Sequence, residues 1–523
     1  MVTSAADVVV VGAGHNALIT AAYLATAGLE VVVLEAREVV GGNTVTEELT
    51  LPGFRHDACS SAHVLIQSNP LIRDDELGLG RFGLTYAHPD PAVVMALRDG
   101  SSLVMWRGAD ATAAEIARRS PRDADAYLGL LADWEDGLQQ AHGRWNAGTL
   151  DPGSCEQDRR YAQLRDRSAW DVVHDRFHDD GVRDFLLWLS FATIQRPRRH
   201  GTGVLPFAIT SGRTQFGWAT PIGGSDALPR ALARLVEDRG GVVLTGHPVE
   251  QILVREDHAQ GVRCAGGEVY NARRAVVSSA HLTQVAGMLS GCEPPLELLA
   301  ARQAWRPGLT LFAVHLALRG GLRYPMPGGE TMAAVAGGIG SAAGLGEQIA
   351  AFDRGETDQA DPWLLLVCPD SVDASRAPPS QATAKLLTIA PPVLARGRGW
   401  DAERDRFAAQ LVEHAAARVS GLTVEDVLAV RAECPLDLER RNPHNVGGSC
   451  HGGEFVTPGG AAGGADGGPV LVGWAEPRLL PGLYQTGATA HPGGSVSGRP
   501  GRLTARRVLE DLGIDPSGVM GDR

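Results

Sequence analysis

The sequence predicts an α/β protein in two interleaved parts, and three observations carry that prediction. Near the N-terminus a short apolar strand runs straight into a glycine turn and a helix. Apolar and alternating runs from about residue 309 onward read as a second set of strands, with a long helical stretch ahead of them. At the C-terminus a strand, a small-residue loop and a helix follow one another, as they do at the start. At 523 residues the chain is too long for one simple core, so two or three domains are expected.

The first element is the most specific. Val8-Val9-Val10-Val11 has the composition of a strand buried on both faces, as in a parallel sheet. Gly12-Ala13-Gly14-His15-Asn16-Ala17 follows at once and matches the spacing G-x-G-x-x-G/A. A helical pattern covers Leu18 to Thr26, Gly28 stops it, and Glu30 to Leu34 reads as a second strand ending at Glu35. Gly12 permits the tight turn, Gly14 lets a pyrophosphate approach the backbone, and small Ala17 lets helix pack on strand. The helix N-terminus at Gly14, His15 and Asn16 offers free N–H groups and a positive dipole end to phosphates. Glu35 stands where a carboxylate accepts hydrogen bonds from ribose hydroxyls and disfavours a 2′-phosphate. Strand, turn, helix, second strand and terminal acid together specify a Rossmann-type dinucleotide site.

FAD rather than NAD is expected from what comes next. Glu35-Ala36-Arg37, then Val39-Val40-Gly41-Gly42 and Thr44, resembles the extension found in flavoproteins of the amine oxidase and phytoene desaturase superfamily. In that superfamily the paired glycines and the arginine continue the pyrophosphate cradle.

Between the two ends the chain alternates in type. Residues 93–106 read as a hairpin with Arg98-Asp99-Gly100 as the turn, and 110–194 are mostly helical, which suggests a cap over a substrate. Pro221-Ile222-Gly223-Gly224 precedes a helix from about Ser225 to Arg239, then strands at Val242–Leu244, Val249–Val254 and Ala275–Ser278. In flavoproteins of the resembled type this run returns to the FAD domain, and Val249 is the position expected beside the adenine. Residues 309–318, 363–368 and 384–391 read as strands, 401–419 as a helix, and Pro458 to Pro469 as a surface loop. Gly338-Ile339-Gly340-Ser341-Ala342-Ala343-Gly344 imitates a second dinucleotide turn, but no second strand with a terminal acid follows, so it is not assigned to NAD.

Leu483-Tyr484-Gln485-Thr486 is a short strand that stops at Gly487-Ala488-Thr489. His491-Pro492-Gly493-Gly494-Ser495-Val496-Ser497-Gly498 then leads into a helix through Gly501, Ala505 and Leu509. Such a helix end stabilises negative charge on the pyrimidine edge of a reduced flavin, with Gly487, Gly494, Ser495 and Val496 facing it. With this loop in place the chain resembles the phytoene desaturase-related FAD-dependent oxidoreductases. It is most similar to their branch of pyridine nucleotide-disulfide oxidoreductase domain 2-like proteins. The matching segments are Val8–Thr44, Pro221–Leu235, Asn442–Gly448 with Cys450–Gly453, and Gly487–Ala505. The resemblance implies a Rossmann-type FAD-binding domain with a discontinuous second substrate domain of mixed sheet plus helical insert. Its segments are 1–75, 221–300 and 436–523 for FAD, 76–220 for the largely helical cap, and 301–435 for the substrate sheet and helices.

Chemistry is expected in the cluster from Asn442 to Gly453. His444, Asn445 and His451 are candidates to face a substrate beside the flavin, with His491 in the flavin loop bounding the same space. An imidazole suits removal of a proton while hydride leaves the substrate. His444, Cys450 and His451 match no standard metal-ligand spacing, and no metal is expected. Amine oxidases of the resembled superfamily place a lysine near the flavin; the only lysine here, Lys385, lies in a strand outside any matched segment. Dehydrogenation or desaturation of a partly apolar small molecule is therefore the expected activity, with O2 or a quinone as acceptor. Amine or amino-acid oxidation, a non-redox isomerase and a flavin-fold binding protein are the alternatives.

Composition narrows the partners. A net charge of −13 argues against a nucleic-acid surface. Seven scattered cysteines with no Cys-x-x-Cys pair argue against a disulfide framework and for a reducing compartment. No apolar run reaches the roughly 18 residues of a membrane span, no leader pattern precedes the first strand, and no basic amphipathic face indicates membrane contact. A cytoplasmic enzyme is expected; the oligomeric state is open.

Overall fold

A computed structural model describes residues 5–357, 360–454, 474 and 476–521; the glycine-rich stretch from Pro458 to Pro469 lies outside them. Strand β1 (Ala5–Val11) pairs in parallel with β2 (Val31–Leu34) on one side and with Val269–Ser278 on the other. Val8, Val9 and Val10 have no exposed surface, as the continuous valine run requires. Among the described residues this sheet has nine strands. Val242–Leu244 extends it beyond β2, Leu483–Gln485 pairs in parallel with Val276–Ser278, and the antiparallel strands Val249–Arg255 and His258–Cys264 lie beyond Val269–Ser278.

Helix α1 (His15–Thr26) starts three residues before the apolar pattern indicates, directly on Gly14. It is covered by the C-terminal helix Arg499–Asp511. Gly501 makes that contact possible, because a Cβ there would lie 2.4 Å from the carbonyl oxygen of Asn16. The Thr20 hydroxyl donates to the Gly501 carbonyl at 2.9 Å, tying the two helix starts together. The first and last motifs of the sequence thus meet at one end of the sheet.

A second sheet has, among the described residues, seven strands in the order Val427–Glu433, Leu311–Leu318, Ala382–Ile389, Leu364–Val367, Ala336–Ile339, Val93–Ala96, Ser102–Met105. It is antiparallel except where Ala336–Ile339 meets Val93–Ala96. Helices between Ala109 and Phe216 pack over it through Phe185, Trp188 and Phe191, which are buried.

The glycine run at 338–344 is explained by this packing. Trp188 lies against Gly338, where a Cβ would fall 2.2 Å from the indole, and its Nε1 donates to the Leu364 carbonyl at 2.9 Å. The run turns the strand Ala336–Ile339 into the helix Ala342–Asp353, in a different sheet from β1. Gly338→Ala is expected to destabilise the protein by about 1–3 kcal/mol through overpacking. Thermal melting measures the loss, and bound-flavin absorbance at low temperature stays unchanged.

Candidate functional site

A cavity of ≈ 450 Å³ runs from the start of α1 to the face of the second sheet. Its first end is built by the N-terminal motif. Gly12 has φ +87, and a Cβ there would sit 2.3 Å from Ser279 Oγ, so no other residue fits this turn without movement. Gly14 is the opposite case: a Cβ there meets no atom within 4 Å and points into open cavity. Glu35 is nearly buried, accepts from the Ala13 N–H at 2.7 Å and from the Arg37 N–H at 2.9 Å, and still lines the cavity. Arg37 Nη2 bonds Glu47, whereas its Nη1 is buried with no partner among the described residues. A space left by a missing Cβ, a helix N-terminus, an unspent guanidinium donor and a fixed carboxylate suit a dinucleotide pyrophosphate and ribose. The residues present therefore fit FAD.

His15, Asn16, Ala17, Ala36, Gly42, Thr44 and Val249 line the same space. Gly41 stands behind it, its N–H donating to the Ala13 carbonyl at 2.8 Å, and the Thr44 hydroxyl closes the turn on the Gly41 carbonyl. From the C-terminal loop Gly487, Ser495 and Val496 reach this cavity. Ser495 holds φ +77, a sparsely populated backbone conformation. Gly494 faces an adjoining chamber instead, packed on the His451 backbone.

The far end is formed by the second sheet. Leu311, Leu365 and Leu387 make an apolar floor; Leu365 and Leu387 are register partners on adjacent strands. His444 closes the wall, with both ring nitrogens buried and unpartnered among the described residues. Burial pushes its pKa down to about 4, so the ring is neutral at ordinary pH. His451 also lines the cavity, and burial lowers its pKa to about 4 too.

Two of the four histidine and asparagine candidates stand elsewhere. Asn445 does not line the cavity; its amide oxygen accepts from Asn43 Nδ2 at 2.8 Å and its nitrogen donates to Asn43 Oδ1 and the Leu438 carbonyl. It is a positioning residue that, with Asn442, pins the His444 loop to the glycine extension. His491 points away, its Nε2 3.0 Å from the Trp145 carbonyl oxygen. The glycine content of their loops attracts both assignments, but side-chain direction is set by packing.

Three further residues of the site escape a reading of the sequence. Lys385, in the strand Ala382–Ile389, reaches the cavity, with Nζ donating to the Cys59 carbonyl at 2.6 Å and the Asp57 carbonyl at 3.2 Å. Burial pushes its pKa down and the Asp57 charge opposes this. Cys59 and Cys450, nearly 400 positions apart, share a hydrogen bond that lowers the Cys59 pKa and raises that of Cys450. Both thiols are free. No spacing rule joins them; the one available signal is that Lys385 is the only lysine in the chain.

A dinucleotide cradle opening onto an apolar, histidine-walled space defines a flavin-dependent oxidoreductase that binds FAD. Comparison with known sequences places the chain more closely: residues 18–333 match the flavin containing amine oxidoreductase family, and the chain belongs to it. A limonene dehydrogenase polypeptide from Castellaniella defragrans is 24% identical over 97% of this chain and 95% of its own length. The pyridine nucleotide-disulfide oxidoreductase domain-containing protein 2 of Mus musculus is 29% identical over 97% and 94%. A zeta-carotene-forming phytoene desaturase from Myxococcus xanthus is 29% identical over 62% of each chain. Among solved structures, putrescine oxidase superposes with a TM-score of 0.59 at 17% identity, over 97% of this chain and 99% of that one, and shares the fold. Among the described residues no helix is long and apolar enough to cross a membrane.

Proposed function

We propose that this FAD-dependent oxidoreductase is a dehydrogenase that introduces a C=C or C=N bond into a partly apolar small molecule. The observation that carries the reading is the apolar floor of Leu311, Leu365 and Leu387 in the same cavity as the FAD cradle. Segments 1–75, 221–300 and 436–523 form the FAD unit in this reading, and 76–220 with 301–435 form the substrate unit.

Bound FAD supplies the two-electron hydride acceptor that protein side chains lack, and O2 or a quinone then takes the electrons. Gly12, Gly14, Asn16, Glu35 and Arg37 hold the dinucleotide, and Gly487, Ser495 and Val496 hold its flavin end. The leucine floor orients the substrate and excludes water. His444, neutral and unpartnered among the described residues, takes the proton lost from the carbon or nitrogen next to the site of hydride loss, at one of its two ring nitrogens. The free cysteines support a reducing, cytoplasmic setting.

Two outcomes follow for His444. His444→Gln should slow anaerobic flavin reduction about 10²–10⁴-fold with FAD content retained, as stopped-flow absorbance would report. Because the folded ring is neutral above about 4, kcat/KM should show no histidine step near pH 6.5. An inflection near pH 6.5 that His444→Gln abolishes would contradict the desolvated, neutral ring.

A second reading, amine oxidation, is favoured by one observation: Lys385 does line the cavity. Anaerobic titration with two panels decides between them. Bleaching of the flavin by terpenoid or other alicyclic compounds without an amine supports C=C formation; bleaching by primary or secondary amines alone leaves only C=N formation and favours the amine oxidase.

A further inference from the structure

A second chamber of ≈ 880 Å³ adjoins the FAD cavity and shares a wall with it at His451, Ser495 and Ile209. Its charge is opposite to that of the protein as a whole, whose net charge is −13. Arg73, Arg144, Arg165, Arg499, Arg502 and Arg506 line it, and no Asp or Glu does among the described residues. Arg73, Arg144 and Arg502 are paired with carboxylates that do not line it: Asp74, Asp158 and Glu76. Arg499 makes a hydrogen bond to Ser68 Oγ at 3.2 Å, and burial pushes its pKa down to about 10. The Arg165 guanidinium lies 4.2 Å over the Trp145 ring; burial depresses its pKa, against a hydrogen bond with Tyr161 and the nearby Asp166 charge.

Two neutral groups of the wall are unspent donors as well. Trp145 Nε1 and Asn146 Nδ2 are buried donors without a partner among the described residues. A buried donor without an acceptor is costly, and a desolvated cation more so. Donors and guanidiniums gathered around one space, with no carboxylate in it, are complementary to an acceptor-rich anion. Trp134 and Trp145 line the same chamber and offer apolar area beside these donors.

We propose that this chamber binds the carboxylate or phosphate group of the substrate, whose apolar body passes His451 into the FAD cavity. The substrate class is then an organic anion with a hydrocarbon body, and the inference rests on the oxidoreductase reading for its direction of entry. An amine substrate would meet the wrong charge at this entrance.

The test uses the FAD-loaded protein and three probes with one hydrocarbon body: 4-phenylbutyrate, 4-phenylbutyl phosphate and 4-phenylbutanol. Calorimetry and the shift of the visible flavin band report binding without turnover. At least one anion should bind about tenfold or more tightly than the alcohol, and the two anions tell carboxylate from phosphate. Arg499→Gln and Arg165→Gln should each bring that anion to the affinity of the alcohol and leave the alcohol unchanged. An alcohol that binds as tightly as both anions in the wild type overturns the proposal, whether or not either variant keeps its flavin. An anion that binds in this chamber, while no compound of either substrate panel bleaches the flavin, keeps this site and removes the dehydrogenase reading.

Discussion

Gly14→Val is expected to give a folded, colourless protein. The residue that caps α1 has φ −67 and ψ 160, a conformation open to valine, and a Cβ there touches nothing within 4 Å. The added methyls fill the space in which the pyrophosphate would lie, so FAD affinity should fall at least about 100-fold, or about 2.7 kcal/mol. Far-UV circular dichroism and a cooperative melt verify the fold, and equilibrium dialysis against FAD measures the loss. Gly12→Ala separates the two roles of the motif. Its Cβ strikes Ser279 Oγ at 2.3 Å in a backbone conformation with φ +87, so the fold itself is weakened. A Gly14→Val protein that binds FAD as well as wild type would show that the dinucleotide lies elsewhere.

The largest expected effect on stability comes from Arg376→Met. Arg376 is 1% exposed, and its Nη2 lies 2.8 Å from Oδ1 of Asp57, itself 5% exposed. The same carboxylate oxygen accepts from the Ser225 N–H and the Thr46 hydroxyl, and the Asp57 carbonyl accepts from Lys385. Arg376 Nε donates to the Arg55 carbonyl at 3.1 Å. This cluster joins the strand Arg55–Asp57 to the second sheet beneath the cavity. Removing the guanidinium leaves Asp57 charged and without its main partner, a loss of about 3–5 kcal/mol. Burial alone would raise the Asp57 pKa, but Arg376 and Lys385 outweigh it and hold it below the usual value. A depressed carboxyl stabilises the fold above its unfolded pKa of about 3.9, and that contribution is lost as pH falls through the folded value. Wild type and variant should thus differ most at neutral pH and converge in acid, as denaturant titrations at several pH values would show.

Much of this architecture is legible in the sequence because it depends on local pattern. A run of four valines before Gly12 has one physical reading, and β1, α1 and β2 follow it within a few residues. The hairpin at 93–105 and the strands of the second sheet at 311–318, 364–367 and 382–389 are likewise carried by periodicity. The strand Val427–Glu433 is not legible, since it is an edge strand with Val430 half exposed and Arg431 and Glu433 breaking the apolar alternation. The helix Leu205–Phe216 escapes because Pro206 and Gly212 dilute its pattern. Within the site, the residues that line the dinucleotide end lie close in sequence to the glycines and are found with them. Those at the substrate end come from distant strands: Lys385 enters through a strand register and Cys59 meets Cys450 only after both sheets are assembled. Asn445 and His491 show the converse, since functional residue types in a glycine-rich loop are turned to structural bonds.

One cavity is assigned to both FAD and substrate, and every functional step above depends on that. The most direct measurement is the visible absorption spectrum of the purified protein, with the released flavin identified and counted after denaturation. One FAD per chain, with flavin bands that shift when 4-phenylbutyrate or an alicyclic hydrocarbon is added, is the result expected. A colourless protein that takes up no FAD on reconstitution would contradict it.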